Sequence, residues 1–210
     1  MRLLPSEPTD LPTEAADRAV EQATTDEYRP VPWSTLEDHH CFGCSQTNAS
    51  GLRLRFAARP DGAAVPESID TRFRLDRTFE SYPGIVHGGL IGVICDETMG
   101  NLIVLRSGLT SLTIGMRLRY VTAMRVDAEY ICVARLVDGA EEALRAGAGG
   151  LVRAESEVLD TAGNLVASAT ATYRPISMDD ARQHLTLRPD AFDRAEAALT
   201  TSAAPPTAIP

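Results

Sequence analysis

Apolar and polar side chains alternate over several segments of the chain, which is the pattern of half-buried β-strands. Stretches rich in Gly, Pro, Asp and Asn predict turns between them, including 59–67 and 161–164. Strands with short local connections predict a mainly antiparallel sheet. The alternating segments are 51–58, 69–75, 112–120, 128–137, 150–160 and 165–174, and the last four are predicted to be joined by short turns.

The strongest alternation lies over residues 112–120 and predicts a strand with two distinct faces. The polar face carries arginines, which are most simply solvated on the outer side of the sheet. One predicted face is Leu112, Ile114, Met116, Leu118 and Tyr120, and the other is Thr113, Gly115, Arg117 and Arg119.

Residues 82–106, YPGIVHGGLIGVICDETMGNLIVLR, begin with a Pro-Gly turn. After His87-Gly88-Gly89 they predict a long helix that is apolar around most of its circumference. Such a helix is normally buried. Asp96, Glu97 and Asn101 interrupt the apolar run, so we do not expect a membrane span. A buried carboxylate is costly unless it is paired or functional. An antiparallel sheet wrapped around this helix, an α+β fold, would bury both apolar surfaces.

The start of this helix, at Val86-His87-Gly88-Gly89, carries no Ser, Thr, Asp or Asn as an N-cap. We therefore expect the first-turn N–H groups to lack a side-chain acceptor. Free N–H groups, aided by the helix dipole, can bind an anion or a developing oxyanion. A glycine-rich turn that only eases a tight connection remains an equal alternative.

The length of 210 residues and a hydrophobic content of 44% fit one globular domain with tails. We expect residues 1–30 to form a mobile acidic arm and residues 31–178 to form the domain. Short helices and a disordered C-terminal tail are predicted over 179–210. Gly108 fits the C-cap of the central helix.

The net charge of −9 makes nucleic acid and anionic membranes unsuitable partners. The N-terminus carries no apolar run long enough for a secretion signal, and four cysteines do not form a disulfide framework. We therefore expect a cytoplasmic protein with reduced thiols. Nothing in the sequence predicts a cofactor.

His39-His40-Cys41-Phe42-Gly43-Cys44 could indicate a zinc or redox site. No second C-x-x-C or H-x-x-H follows to complete four ligands. A redox dithiol would also be expected at a helix start after a strand, which the pattern does not predict. We interpret the segment as a turn with partly buried thiols and predict no metal. A metal or thiol module is the minority alternative.

These motifs resemble the hotdog-fold acyl-CoA thioesterases, particularly the phenylacetyl-CoA thioesterase-like (PaaI-type) branch. The resemblance covers roughly residues 38–176. It implies a homodimer, or a dimer of dimers (a homotetramer), with a continuous sheet and active sites between subunits. The matching segments are Cys41-Phe42-Gly43-Cys44, Gly51-Leu52, Pro83-Gly84-Ile85-Val86-His87-Gly88-Gly89, Asp96-Glu97 and Met116-Arg117-Leu118-Arg119-Tyr120.

The resemblance implies that Asp96 is the catalytic carboxylate, which acts either as a general base on water or as the nucleophile. The Gly88 N–H would form the oxyanion hole. Eight residues separate the two along one helix, about 12 Å. One helix therefore cannot bring both to the same carbonyl, whereas two antiparallel helices across a two-fold axis can.

The resemblance gives further residues supporting roles. Thr113 would hold water or Asp96, unless it is an ordinary strand residue, and His87 would orient the loop or the substrate. Ser81 stands where some members have Asn or Gln, and it is a candidate substrate contact together with Gly89. Arg117 and Arg119 could meet the phosphates of coenzyme A.

Two neighbours of Asp96 have less direct roles. Glu97 lies 100° round the helix from Asp96, so a structural or interface role is favoured over backup catalysis. Cys95 is interpreted as core packing.

The main alternative function is a non-catalytic hotdog protein that binds acyl-CoA or lipid. Asp96 argues against it, because a binder gains nothing from a buried acid. Acyl-CoA hydration is a third hypothesis and usually needs a close Asp–His pair. His87 and Asp96 point to opposite sides of one helix, which does not favour that chemistry.

Overall fold

The computed structural model describes residues 31, 33, 39–58, 67–137 and 139–202. The predicted acidic arm, most of the predicted turn over 59–67, and residues 203–210 of the predicted tail lie outside the described residues.

The fold is built on a six-stranded sheet in the order β1-β2-β6-β7-β8-β5, in which every neighbouring pair is antiparallel. A separate two-stranded ribbon, β3 and β4, directly precedes the long helix. The strands are β1 (Ala57–Ala58), β2 (Ser68–Arg74), β3 (Glu80–Tyr82), β4 (Ile85–Val86), β5 (Thr110–Tyr120), β6 (Glu129–Leu136), β7 (Val152–Asp160) and β8 (Leu165–Ile176).

The central helix, α1, spans Gly88–Ser107 and packs against β2, β5, β6, β7 and β8. By length and composition this helix could cross a bilayer, but 61% of its most apolar 18-residue stretch is buried inside this chain. Its core side chains include Ile94, Met99 and Leu102, which are fully buried. Gly108 ends the helix with φ 66°, and its N–H donates to Val104 O. The predicted antiparallel sheet around one apolar helix is confirmed.

Three shorter helices follow: α2 (Ala140–Arg145), α3 (Met178–Ala181) and α4 (Pro189–Ser202). The last two form a second apolar cluster at the C-terminal end of α1. Phe192 and Leu199 of α4 are buried there with Val104 and Ile176. The segment after the sheet therefore docks on the domain at least as far as α4.

The prediction of a strand over 51–58 is wrong for most of its length, since only Ala57–Ala58 pair with β2. Arg53 has φ 52°, which breaks the extended conformation. The backbone N–H groups of Leu52 and Leu54 donate instead to Phe42 O and Gly43 O. Leu54 and Phe56 are still buried and Leu52 is half-buried, so the alternation indicated burial rather than sheet pairing.

The predicted short turn between β6 and β7 is also wrong, because α2 occupies this connection. Ala140 and Leu144 are buried on its inner side, and Glu141 forms an ion pair with Arg106 of α1. The helix therefore covers part of the core that a tight turn would leave open.

A bulge in β5 overturns the predicted division of its two faces. Thr113 pairs with Tyr173 but Gly115 pairs with Thr172, so Ile114 is the extra residue. The Thr113 hydroxyl donates a hydrogen bond to Asp96 of α1, and the side chain of Met116, three positions later, approaches Gly92 of α1. Regular alternation would put those two side chains on opposite faces, so the bulge brings Thr113 to the helix side.

Candidate active site

Asp96 lies at the middle of α1, and its carboxylate is held by hydroxyl groups from two paired strands. Thr113 Oγ1 donates to Asp96 Oδ1 at 2.9 Å, and Tyr173 OH donates to the same oxygen at 2.9 Å. Within the described residues no donor contacts the second oxygen, Oδ2. One oxygen is thus fixed by the protein while the other can accept a proton or attack a carbon.

Tyr173 is a site residue that sequence analysis missed. Its ring is buried in β8, and its hydroxyl also lies 3.2 Å from Asp96 O. Burial, and then the neighbouring Asp96 charge, raise the pKa of Tyr173 far above its ordinary value. It therefore stays protonated and donates. The alternation over 165–174 could indicate an inward side chain but not its partner 77 residues away.

The start of α1 differs from the prediction. His87 is the N-cap, with φ −64° and ψ 125°, and its Nδ1 accepts from Gly89 N at 3.0 Å. The expectation that first-turn N–H groups lack a side-chain acceptor is wrong for Gly89, because the histidine folds back onto its own turn. In the part of the chain that the structure describes, the Gly88 N–H has no acceptor.

Tyr120 of β5 fixes the position of Gly88. Its hydroxyl donates to Gly88 O at 3.0 Å. A Cβ on Gly88 would lie 3.2 Å from the Tyr120 hydroxyl oxygen and 3.3 Å from two carbons of the Tyr120 ring. This is tighter than ordinary contact, so any larger residue here would require the Tyr120 ring to shift by a few tenths of an ångström.

A cavity of about 380 Å³ opens beside Asp96, and Thr113 and Tyr173 also line it. Its walls do not include His87, Gly88 or Gly89. Within one chain, the acid and the free N–H therefore lie in different places, as their spacing along the helix requires.

Comparison with known proteins gives likeness in structure but not in sequence. No family model matches the chain, and no curated protein matches it. One similar solved structure is a thioesterase superfamily protein, at 18% identity and TM-score 0.53, with 77% of this chain and 74% of that chain covered. Another is a thioesterase from Haemophilus influenzae, at 14% identity and TM-score 0.51, covering 64% and 85%. This chain has the hotdog fold.

In this hotdog domain β5 forms one edge of the sheet, so one side of its backbone has no neighbouring strand among the described residues. Edge strands that are long and apolar readily pair with another chain. This strand and the residue after it expose several large apolar side chains: Leu112, Ile114, Met116, Tyr120 and Val121.

The remaining predicted substrate contacts lie on the surface. Arg117 and Arg119 are exposed on β5, and Ser81 is exposed in β3. The hydrogen bonds of the described residues tie none of these side chains to Asp96. Their suggested roles stay predictions.

A second group of ionisable side chains lies beside Asp96 in the same cavity. Cys41 Sγ donates to Glu97 Oε1 at 3.1 Å, and Cys44 Sγ lies 3.5 Å from His39 Nε2. Burial, and then the Cys41 thiol, raise the pKa of Glu97 to about 8. The interpretation of residues 39–44 as a turn with partly buried thiols did not foresee Glu97, which lies 56 residues after Cys41.

Proposed function

We propose that this protein is an acyl-CoA thioesterase that hydrolyses a thioester to a free acid and coenzyme A. The observation that carries the proposal is the Asp96 carboxylate, fixed through one oxygen and open at the other, in a cavity of the hotdog fold. The structural neighbours named as thioesterases support the same class of reaction.

In the proposed mechanism, Gly88 N–H of one protomer donates a hydrogen bond to the thioester carbonyl oxygen, aided by the dipole of α1. Asp96 of the other protomer removes a proton from water through Oδ2, and the water oxygen attacks the carbonyl carbon. The C–S bond then breaks. The coenzyme A thiol, with a pKa of about 8.5 if it behaves like a cysteine thiol, leaves readily as a thiolate, so no strong general acid is required.

Direct attack by Asp96 Oδ2 is the second route. It forms a mixed anhydride and expels the thiolate, and water then hydrolyses the anhydride. Both routes need the same held carboxylate, and Thr113 and Tyr173 would orient it in either one.

A homodimer that pairs the exposed edges of β5 would complete this site. It would cover the apolar side chains on β5 and bring two antiparallel copies of α1 together. A further pairing of dimers would give a tetramer. Arg117 and Arg119, on the same strand, are the proposed contacts for the phosphates of coenzyme A.

The decisive experiment measures free-thiol release from short, long and aryl acyl-CoAs by wild type and Asp96→Asn. We expect wild-type hydrolysis of at least one substrate and a fall of about 10³-fold or more in the variant, as for loss of an essential base. Asp179→Asn is the control, since that side chain is 92% exposed on α3.

Undiminished hydrolysis by Asp96→Asn would reject the catalytic assignment. Hydrolysis of none of the substrates, together with acyl-CoA binding in calorimetry, would instead favour the non-catalytic acyl-CoA- or lipid-binding protein.

A further inference from the structure

Three potential metal ligands lie together between the 39–44 turn and α1, and a fourth, His39, lies beside one of them. His39, Cys41 and Cys44 come from the turn, and Glu97 comes from the helix. One ligand atom from each of Cys41, Cys44 and Glu97 lies within 4.8 Å of the others. His39 Nε2 adds a fourth atom, 3.5 Å from Cys44 Sγ. We refer to these four residues as the thiol cluster.

Two of the separations in the thiol cluster are close to those of a tetrahedral zinc site. With Zn–S of about 2.3 Å and Zn–N or Zn–O of about 2.1 Å, tetrahedral geometry puts sulfur about 3.6 Å from nitrogen or oxygen. The thiol cluster has a sulfur–nitrogen distance of 3.5 Å and a sulfur–oxygen distance of 3.1 Å. Binding an ion would require side-chain movements that bring the remaining ligand atoms, which lie within 4.8 Å of one another in Cys41, Cys44 and Glu97, to the same spacing.

The backbone of the turn is arranged to support a thiolate at Cys41. Gly43 N donates to Cys41 Sγ at 3.3 Å, and Ser45 N donates to Cys41 O at 3.2 Å. Backbone N–H donors to a cysteine sulfur favour its ionised form, which is the form that binds metal.

Glu97 is held so that one oxygen faces the sulfur atoms. Asn101 Nδ2 donates to Glu97 Oε2 at 3.3 Å, while Oε1 faces Cys41. Such outer contacts orient metal ligands in many proteins. Gly43 permits the close approach of the turn, because a Cβ there would lie 2.2 Å from Glu97 Cγ.

Charge supplies a further reason for a cation. Two thiols and a carboxyl group are packed together and partly buried away from bulk water, and Asp96 is adjacent to Glu97 in the chain. Like charges this close cannot all ionise without compensation. A divalent cation would allow the thiolates and the carboxylate to share the site.

We propose that His39, Cys41, Cys44 and Glu97 bind one zinc ion. Two sulfurs, one imidazole and one carboxylate suit zinc better than magnesium or calcium, which prefer oxygen ligands. Four protein ligands make a closed site, so the ion is structural and does not activate water. It would attach the 39–44 turn to α1 and form one wall of the Asp96 cavity.

This site is independent of the proposed hydrolysis, and so is its test. The full chain is purified under reducing conditions with any affinity tag removed, and its zinc content is measured by mass spectrometry. We expect about one zinc per chain. Apo protein loaded with Co²⁺ should show thiolate-to-metal charge-transfer absorption and the bands of tetrahedral cobalt.

Single substitutions at the proposed ligands, compared with one at a neighbouring histidine, test which side chains bind the zinc. His39→Ala, Cys44→Ser and Glu97→Gln should each lower zinc affinity by about tenfold or more. His40→Ala should leave it unchanged, because that imidazole is exposed in the same turn and outside the thiol cluster. Circular dichroism checks that each variant is folded.

Three results would overturn the proposal. The reduced chain could take up no zinc in a titration. Zinc could be retained equally by all three ligand variants, which would indicate an adventitious ion only. The Co²⁺-loaded protein could lack thiolate-to-metal charge-transfer absorption, which would exclude Cys41 and Cys44 as metal ligands.

Discussion

Thr113 and Tyr173 are direct partners across the β5–β8 pairing, and both donate to Asp96 Oδ1 at 2.9 Å. The two hydroxyl groups come from opposite strands but meet on one oxygen because the bulge at Ile114 turns Thr113 toward α1. The carboxylate is therefore held by the sheet rather than by its own helix. This relationship makes the orientation of Asp96 depend on the register of β5 against β8.

We expect Tyr173→Phe to lower kcat for acyl-CoA hydrolysis by about tenfold, because a hydrogen bond to a charged group is worth about 1.5–3 kcal/mol and one of the two donors remains. The ring is retained, so packing should be little changed. Steady-state kinetics and a thermal melt are the measurements.

Thr113 provides the matched comparison for Tyr173. Thr113→Val should cause a similar loss and Thr113→Ser should restore most of the rate, since only Ser keeps the donor. Wild-type kcat in both Tyr173→Phe and Thr113→Val would show that these hydroxyl groups do not position Asp96.

Gly88→Ala should lower the rate by about 10²-fold or more, because the added Cβ would press on Tyr120 and displace the N–H proposed to meet the oxyanion. Gly92→Ala on the same helix is the control, since its Cβ would make only ordinary contacts, at 3.5 Å with the Met116 side chain and 3.6 Å with the Leu118 side chain. Equal activities of the two variants would contradict the role of Gly88.

Ile114→Arg should convert the proposed dimer to monomer, because this side chain is 53% exposed on the edge strand where the second chain would pack. Leu151→Arg is the control, with a side chain of similar size that is 54% exposed outside β5. Light scattering coupled to size-exclusion chromatography gives the mass. A dimer that persists in Ile114→Arg would place the interface elsewhere.

A mixing experiment tests whether each active site uses two chains. Asp96→Asn and Gly88→Ala are inactive separately in the proposal, but a mixed dimer contains one site with both native groups. Random co-assembly should restore roughly a quarter of wild-type activity, because half of the dimers are mixed and each has one intact site of two. No recovery, with mixed dimers demonstrated by differential tagging, would indicate that each site lies within one chain.

Phe192→Ala should lower the free energy of unfolding by about 3 kcal/mol, because it removes a large buried side chain from the cluster between α4 and the end of α1. Denaturant titration is the measurement, and Asp193→Asn, exposed on the same helix, is the control. An unchanged midpoint for Phe192→Ala would show that α4 does not stabilise the domain.

Local pattern was enough to predict the antiparallel sheet, the buried helix and its C-cap at Gly108. These features depend on periodicity and on side chains close in sequence, which a single chain displays directly. The resemblance in its motifs then gave the hotdog fold, which the comparisons confirm.

Tertiary structure alone decided which side chains meet. The bulge in β5 reverses the faces of the strand at Thr113, and alternation cannot show a bulge in advance. Tyr173 reaches Asp96 across 77 positions and Cys41 reaches Glu97 across 56. Such contacts are set by how the sheet wraps around the helix, so they become visible only once the elements are packed.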